Sequence, residues 1–427
     1  MNSIAATAER LGFTWRKFKI TLGVLIGTEF ASIALVAVFM PIILVPLTKE
    51  FGWSRAEVSA GITIQLWTGA IMTMVWGGIG DRLGVRGPLA VGVAGMIAAT
   101  LVLAQGHGFL PIYYACFVMF GVMGSTAINY TKIIGAIYTR RRGLAMAVVG
   151  MEGALISALL PFLLVIIQRE FGWRGVVMST AFAMICAAPL VFLLIEEPAH
   201  AARAKAGKVQ AAAPAALPGL TAAQVRVSPI FWLVTGAGMA GNMAITGVVP
   251  HIVAIAQSAG LKPVLAVGAL SVITIAQFVG QLCGGVTMDR SRTIMVAVPF
   301  LICLAAGLVT MGFASATLGG APMLYVGAAL TGFGIGGRRS MSFYFMTRYF
   351  GVRALGEIAG LNTAVSAFAL APAPLFLGWI FDVTGSYRIG VLVMAGSCVL
   401  AGILYLVCPP YRFTPEGHDL QAEGEAA

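Results

Sequence analysis

The chain has 427 residues, of which 59% are hydrophobic and only 10% charged, and its mean hydropathy is +0.93. A soluble domain of this length would not tolerate that surface, so the composition describes a polytopic membrane protein. The formal net charge of +11 does not point to nucleic acid, because the basic residues sit in short loops between apolar segments and there set topology.

The first apolar segment begins after Arg16, Lys17 and Lys19 and runs to about Pro46. It is longer than the hydrophobic region of a signal peptide and lacks a small-residue cleavage site, so it is expected to stay as the first membrane helix. Apolar runs of about 20 residues, the length that a hydrocarbon core of about 30 Å requires, number twelve. They span about 20–46, 56–79, 88–105, 111–136, 143–167, 175–195, 229–256, 263–286, 293–314, 321–346, 355–380 and 388–408. The long break between the sixth and seventh, Glu196 to Ser228, is rich in Ala and Pro and carries Arg203, Lys205, Lys208 and Arg226, the composition of a linker. The six cysteines, at 116, 186, 283, 303, 398 and 408, stand singly in apolar surroundings without disulfide or zinc spacing.

Assigning loops alternately to the two sides places eighteen Lys and Arg on the amino-terminal side and six on the other. By the positive-inside rule both termini and the linker are expected in the cytoplasm. The halves also repeat at a constant offset of 211 residues: Pro111 matches Pro322, Tyr114 Tyr325, Gly121 Gly332, Tyr138 Tyr349, Arg142 Arg353 and Pro161 Pro372. Such a repeat, with the same orientation in both halves, is the parallel arrangement of a two-bundle transporter with its substrate site near the midplane. The expected fold class is therefore an all-α membrane protein, twelve helices in two six-helix bundles. Its domains are an amino-terminal bundle at 1–195, a cytoplasmic linker at 196–228, a carboxy-terminal bundle at 229–410 and a cytoplasmic tail at 411–427.

Charge inside such segments is costly, about 2.5–3.5 kcal/mol for an arginine near the bilayer centre on insertion scales. Arg338 and Arg339, in Gly332 to Arg353, are thus the first candidates for a site, as an anion clamp in a water-accessible cavity. A guanidinium suits a carboxylate because its planar fork makes two charge-assisted hydrogen bonds. The pair is about 100° apart on a helix, so one faces a cavity squarely, and Arg338 is the choice. Snorkelling to the surface or holding a structural partner is the competing reading. Gly332, Gly336 and Ser340 form a small-residue stripe suited to close helix packing. The glycine run there is not a dinucleotide site, because no strand precedes it. Tyr344 adds a donor or an aromatic face, with ordinary packing as its alternative.

Glu29 and Glu152 lie well inside their segments and are candidate proton carriers, or else partners of a basic residue that hold helices together. His251, near the external end of segment seven, titrates in a useful range and is the third proton-coupling candidate; a capped interfacial role is its alternative. Lys132, with Asn129 and Tyr130 beside it, is a candidate contribution of the amino-terminal half to the anion site. Gln277 and Gln281, four apart on one face, complete the substrate-binding set. Gln65, Trp67 and Asn242 are lesser candidates, each with a satisfied polar contact between helices as the blander role. No catalytic, metal-ligating or cofactor-binding pattern stands out.

The loop Gly77-Gly78-Ile79-Gly80-Asp81-Arg82-Leu83-Gly84-Val85-Arg86-Gly87-Pro88 resembles the signature loop of the major facilitator superfamily, and Gly284-Gly285-Val286-Thr287-Met288-Asp289-Arg290 stands at the equivalent place in the second half. The fragments Phe51-Gly52-Trp53-Ser54-Arg55 and Arg348 to Gly356 resemble its bacterial monocarboxylate-porter and oxalate/formate-exchanger branch; Gly378 to Asp382 and Thr384 to Tyr387 fit the superfamily pattern. The likeness covers roughly residues 15–410. It implies alternating access, and it gives Asp81, Arg82, Arg86, Asp289 and Arg290 a gating role at the cytoplasmic seam. Where the branch commonly has an arginine and an aspartate on helix eight, this chain has Gln281 and Gln277. The branch's carboxylate site therefore does not transfer residue for residue.

The expected function is secondary transport of a small organic anion, a mono- or dicarboxylate, coupled to protons or run as exchange with a counter-anion. The expected setting is a multi-pass monomer in the lipid bilayer of the inner membrane, with no cofactor and no nucleic acid. Efflux of cationic or lipophilic compounds is the alternative, weakened by the repulsion of Arg338 and Arg339, and a non-transporting membrane sensor is the second.

Overall fold

The computed structural model describes residues 15–30, 34–106, 108–137, 153–196, 219–291, 293–314, 320–339, 341–351 and 353–413. In lipid every backbone N–H and C=O has to be satisfied within the segment, and the chain does this with helices. In chain order they are α1 (Trp15–Phe30), α2 (Ala34–Phe51), α3 (Arg55–Leu83), α4 (Arg86–Gln105), α5 (Leu110–Gly124), α6 (Ile128–Ile137), α7 (Gly153–Leu194), α8 (Ala222–Arg226) and α9 (Pro229–Val248). They continue with α10 (Ile252–Ser258), α11 (Pro263–Arg290), α12 (Val298–Phe313), α13 (Gly320–Arg339), α14 (Met341–Phe350), α15 (Leu355–Leu370), α16 (Pro372–Thr384) and α17 (Arg388–Val407). Among the described residues no sheet forms, and an isolated antiparallel bridge joins Gly219 to Gly351.

Among the described residues, ten helical stretches are long and apolar enough to cross a membrane. Segments five and six are the two helices that α7 comprises, separated at Gly172, whose φ of 67° and ψ of −171° an L side chain rarely adopts. Segment ten is present as α13 and α14, on either side of residue 340, which lies outside the described residues. Segment seven bends at a single turn, Val249–His251, where Pro250 removes a backbone donor. Segment eleven is divided in the same way at Pro372, the first residue of α16.

Contacts divide the chain into two units, Met1–Pro46 with Ile64–Gln210, and Leu47–Thr63 with Ala211–Ala427. In the first unit α1 and α4 both pack on α7. Their buried faces meet in a core of Ile20, Val24, Leu89, Tyr130, Ile133, Ile134 and Val191. Arg16 and Glu196 close one end with an exposed ion pair at 2.7 Å.

In the second unit α13 lies between α11 and α12, and α17 packs on α9 and α12. Backbone nearly touches backbone along α11 and α13: a Cβ on Gly332 would sit 2.1 Å from the Ile273 carbonyl oxygen, and one on Gly336 would sit 1.9 Å from that of Gln277. The glycine stripe is thus a packing seam. Two distant segments dock on the turn that ends α14. Leu220 donates to the Phe350 carbonyl at 2.9 Å, and the amides of Arg412 and Phe413 donate to the Arg348 carbonyl at 3.1 and 2.8 Å.

Candidate functional site

α13 ends in the two adjacent arginines, and the 100° step between them separates their surroundings. Arg338 is only 6% exposed, whereas Arg339 is exposed. The Arg338 guanidinium lies against α9, where Nη2 donates to the Gly238 carbonyl at 3.4 Å. It also lies beside the Tyr405 hydroxyl and the Cys398 thiol of α17. Room for it comes from Gly241, because a Cβ there would stand 2.7 Å from the guanidinium. Nη1 is buried without a hydrogen-bond partner among the described residues. An enclosed cation is therefore held by one long carbonyl contact and polar neighbours that carry no negative charge.

Tyr344 is placed differently. Its hydroxyl donates to the Met288 carbonyl at 3.2 Å and accepts from Nη1 of Arg348 at 2.7 Å. Arg348, also 6% exposed, has its guanidinium carbon 4.6 Å from the Tyr411 ring centroid and 5.4 Å from that of Tyr344. Those are cation–π distances. Tyr344 thus belongs to an aromatic cage around Arg348.

Gln277 and Gln281 are half-buried on α11, along the seam with α13. In the first unit Lys132 of α6 donates from Nζ to the Gly77 carbonyl at 2.5 Å. Asn129, fully buried, donates to the Thr126 carbonyl at 3.0 Å, and its Oδ1 has no hydrogen-bond partner among the described residues. Glu29 is buried at 6% exposure, and so is Gln65. Glu152 lies outside the described residues. Trp67 is exposed and Asn242 half-buried.

Of the loop residues, Arg82, Arg86 and Arg290 are exposed, and Arg86 donates from Nη2 to the Phe192 carbonyl. The side chains of Asp81 and Asp289 lie outside the described residues.

His251 is fully buried. Its Nε2 lies 3.0 Å from the Pro374 carbonyl oxygen and 3.1 Å from Ser59 Oγ, and its Nδ1 lies 3.0 Å from the Tyr387 hydroxyl. Tyr387 stands in the turn between α16 and α17. Burial pushes its hydroxyl up to about 12, opposed by the nearby Arg55 guanidinium, so it keeps its proton at neutral pH.

Sequence reasoning did not anticipate the supporting residues: Gly238 and Gly241 under Arg338, Tyr411 over Arg348, and Arg55 with Asp382 near His251. The two glycines gave a faint signal as neighbours on one face of an apolar helix. The last pair stood in motif fragments with no assigned role.

The described residues thus form a bundle of apolar, membrane-length helices with a buried cation inside it. The sequence matches the model of the Major Facilitator Superfamily over residues 25–321, and the chain belongs to that family. It is a multi-pass membrane transporter with the alternating-access fold and takes a small-molecule substrate. No curated protein matches the sequence. Among solved structures it is similar to the inward open conformation of the xylose transporter XylE from E. coli, with a TM-score of 0.72 and 13% identity over 95% of this chain and 99% of that one. At that identity the likeness establishes the fold.

Proposed function

We propose that the protein is a secondary transporter of a small organic anion, a mono- or dicarboxylate, in the inner membrane, coupled to protons or run as exchange. The observation that carries this reading is Arg338, buried with Nη1 unpartnered and no carboxylate against it among the described residues. Burying a cation is strongly unfavourable unless it is paired, and a transported anion supplies the pair. Tyr405 beside the guanidinium is a second donor for the same anion. Glu29, buried in α1, is the proton carrier of this scheme, with Glu152 and His251 as further candidates. Arg339, Gln277, Gln281, Lys132 and Asn129 stay in the proposal as residues that shape or support the anion site, while Tyr344 is engaged by Arg348 instead. Asp81, Arg82, Arg86, Asp289 and Arg290 serve as its cytoplasmic gate. The charge asymmetry of the loops supports cytoplasmic termini, and the protein acts as a monomer. The branch that this reading favours is the monocarboxylate-porter and oxalate/formate-exchanger branch.

The test is uptake of a panel of labelled carboxylates into proteoliposomes, with and without an inward proton gradient, for the unaltered protein and for Arg338→Gln. Saturable uptake of one acid, lost in the variant, is the expected result, and its response to the gradient separates symport from exchange. If no acid moves while a cationic dye is expelled, the efflux reading replaces this one.

A further inference from the structure

The first turns of α3 are held by contacts that the anion site does not use. Ser54 and Glu57 form a reciprocal capping box: the Glu57 amide donates to Ser54 Oγ at 3.1 Å, and the Ser54 amide donates to Glu57 Oε2 at 2.8 Å. The remaining free amides of that turn, Arg55 and Ala56, donate to the two carboxylate oxygens of Asp382 at 3.0 and 2.7 Å. The Arg55 side chain folds back over α16, its guanidinium carbon 3.4 Å from the Phe381 ring centroid and 5.0 Å from that of Tyr387.

One turn further along, Gly378 admits the α3 backbone, since a Cβ there would stand 2.7 Å from the Arg55 carbonyl oxygen. Ser59 then meets His251, and Thr63 donates to the Ala371 carbonyl at 2.7 Å. Steps of four along α3 (55, 59, 63) thus face descending positions of α16 and the residue before it (382, 378, 374, 371), in an antiparallel polar seam. His251 is its keystone. It touches α3 through Ser59, α16 through Pro374, and the turn after α16 through Tyr387.

Hydrogen bonding fixes the charge that this arrangement accepts. The Pro374 carbonyl can only accept, so Nε2 carries a proton. Tyr387 keeps its proton, so Nδ1 receives it and is bare. A second proton on the ring would turn that contact donor against donor and add a cation near Arg55. The charged or titratable groups that face the ring are Arg55 of α3 and Tyr387; Asp382 of α16 is engaged by the amides of α3, and Glu57 is engaged by Ser54. α9 and α10, also packed on this turn, contain no charged residue.

We propose that this seam is a proton-sensitive latch, closed on neutral His251 and released when the ring is protonated. Both sides of the seam belong to the carboxy-terminal unit, residues 47–63 and 211–427, so the latch ties the first turns of α3 to α16 within it. A polar seam of this kind can open, because water replaces the hydrogen bonds that it gives up. The glycine seam of α11 and α13 cannot, since its backbones are in contact. With the termini in the cytoplasm, as proposed above, the latch is on the external face.

The latch rests on the family assignment and not on the anion reading, so its test needs no substrate. Spin labels at Lys49→Cys and Val383→Cys, in protein with the native cysteines replaced, report the separation across the seam by pulsed dipolar spectroscopy at about pH 8 and about pH 4, the lower value chosen because a buried ring beside Arg55 resists protonation. The expected result is a short distance at the higher pH and a shift of most molecules to a longer one at the lower. His251→Gln, which keeps a donor toward Pro374 and does not titrate, should lose the pH response. Asp382→Asn should lengthen the distance at both pH values and serves if His251→Gln does not fold. A distance that ignores pH in the parent, or a response unchanged in His251→Gln, or a short distance in Asp382→Asn at both pH values, overturns the proposal.

Discussion

Arg338 and Arg348 sit on neighbouring helices and are equally buried, yet the chain treats them in opposite ways. Around Arg348 it supplies a phenol at 2.7 Å and two aromatic faces. Only Nε, on the inner side of the guanidinium, is left over. Around Arg338 it supplies a carbonyl at 3.4 Å, the Tyr405 hydroxyl and Cys398 thiol alongside, and a glycine where a side chain would have filled the space, and Nη1 is left without a partner among the described residues. A buried cation that serves the fold carries its partners with it. One that serves a ligand leaves a position open, and this contrast is the physical basis for placing the anion at Arg338.

Substitution separates the two roles. Arg338→Gln removes a charge-assisted hydrogen bond to substrate, of about 1.5–3 kcal/mol, so the apparent KM for the transported acid should rise about 10- to 100-fold. Its melting temperature in detergent should hold or increase, because an unpaired buried charge has been removed. Arg348→Gln should behave in reverse, losing about 2 kcal/mol of stability with the KM nearly unchanged, as thermal unfolding and uptake on the same preparation would reveal. If both variants lose stability and neither changes KM, the two arginines are alike and the comparison fails.

Smaller changes sharpen it. Gly241→Ala puts a methyl group where the Arg338 guanidinium now lies. The flexible end of the side chain can yield, so the fold should survive while KM rises several-fold, roughly 1 kcal/mol of lost positioning. Tyr344→Phe removes the hydroxyl that accepts from Arg348 and donates to the Met288 carbonyl. The expected effect is the smallest, about 1 kcal/mol in thermal stability with uptake kinetics unaltered.

Much of the architecture was legible because the bilayer imposes it. Segment lengths and the glycine stripe follow from hydrocarbon thickness and close helix approach. The separation of segments five and six was legible too, since the break at Gly172 falls between the apolar runs that end near 167 and resume near 175. The division of segment eleven at Pro372 was not anticipated. The site was less legible than the fold. Periodicity says that Arg338 and Arg339 point different ways, but not that Gly241 opens space for one of them. Tyr344 was grouped with the substrate by proximity in sequence, and its pairing with Arg348 depends on a rotamer and on Tyr411, which lies far along the chain. Arg55 and Asp382 were visible only as fragments of a family pattern, since nothing local tells a carboxylate on α16 that it will cap α3.

The turn that ends α14 has a practical consequence. Residues 219–220 and 412–413 use adjoining carbonyls of that one turn, and Tyr411 roofs the Arg348 cage. A truncation placed at the end of the last apolar helix, after Val407, would look harmless on a hydropathy plot. It would strip two hydrogen bonds from the Arg348 carbonyl and the aromatic lid from its guanidinium. Affinity tags and fluorescent fusions belong beyond Phe413.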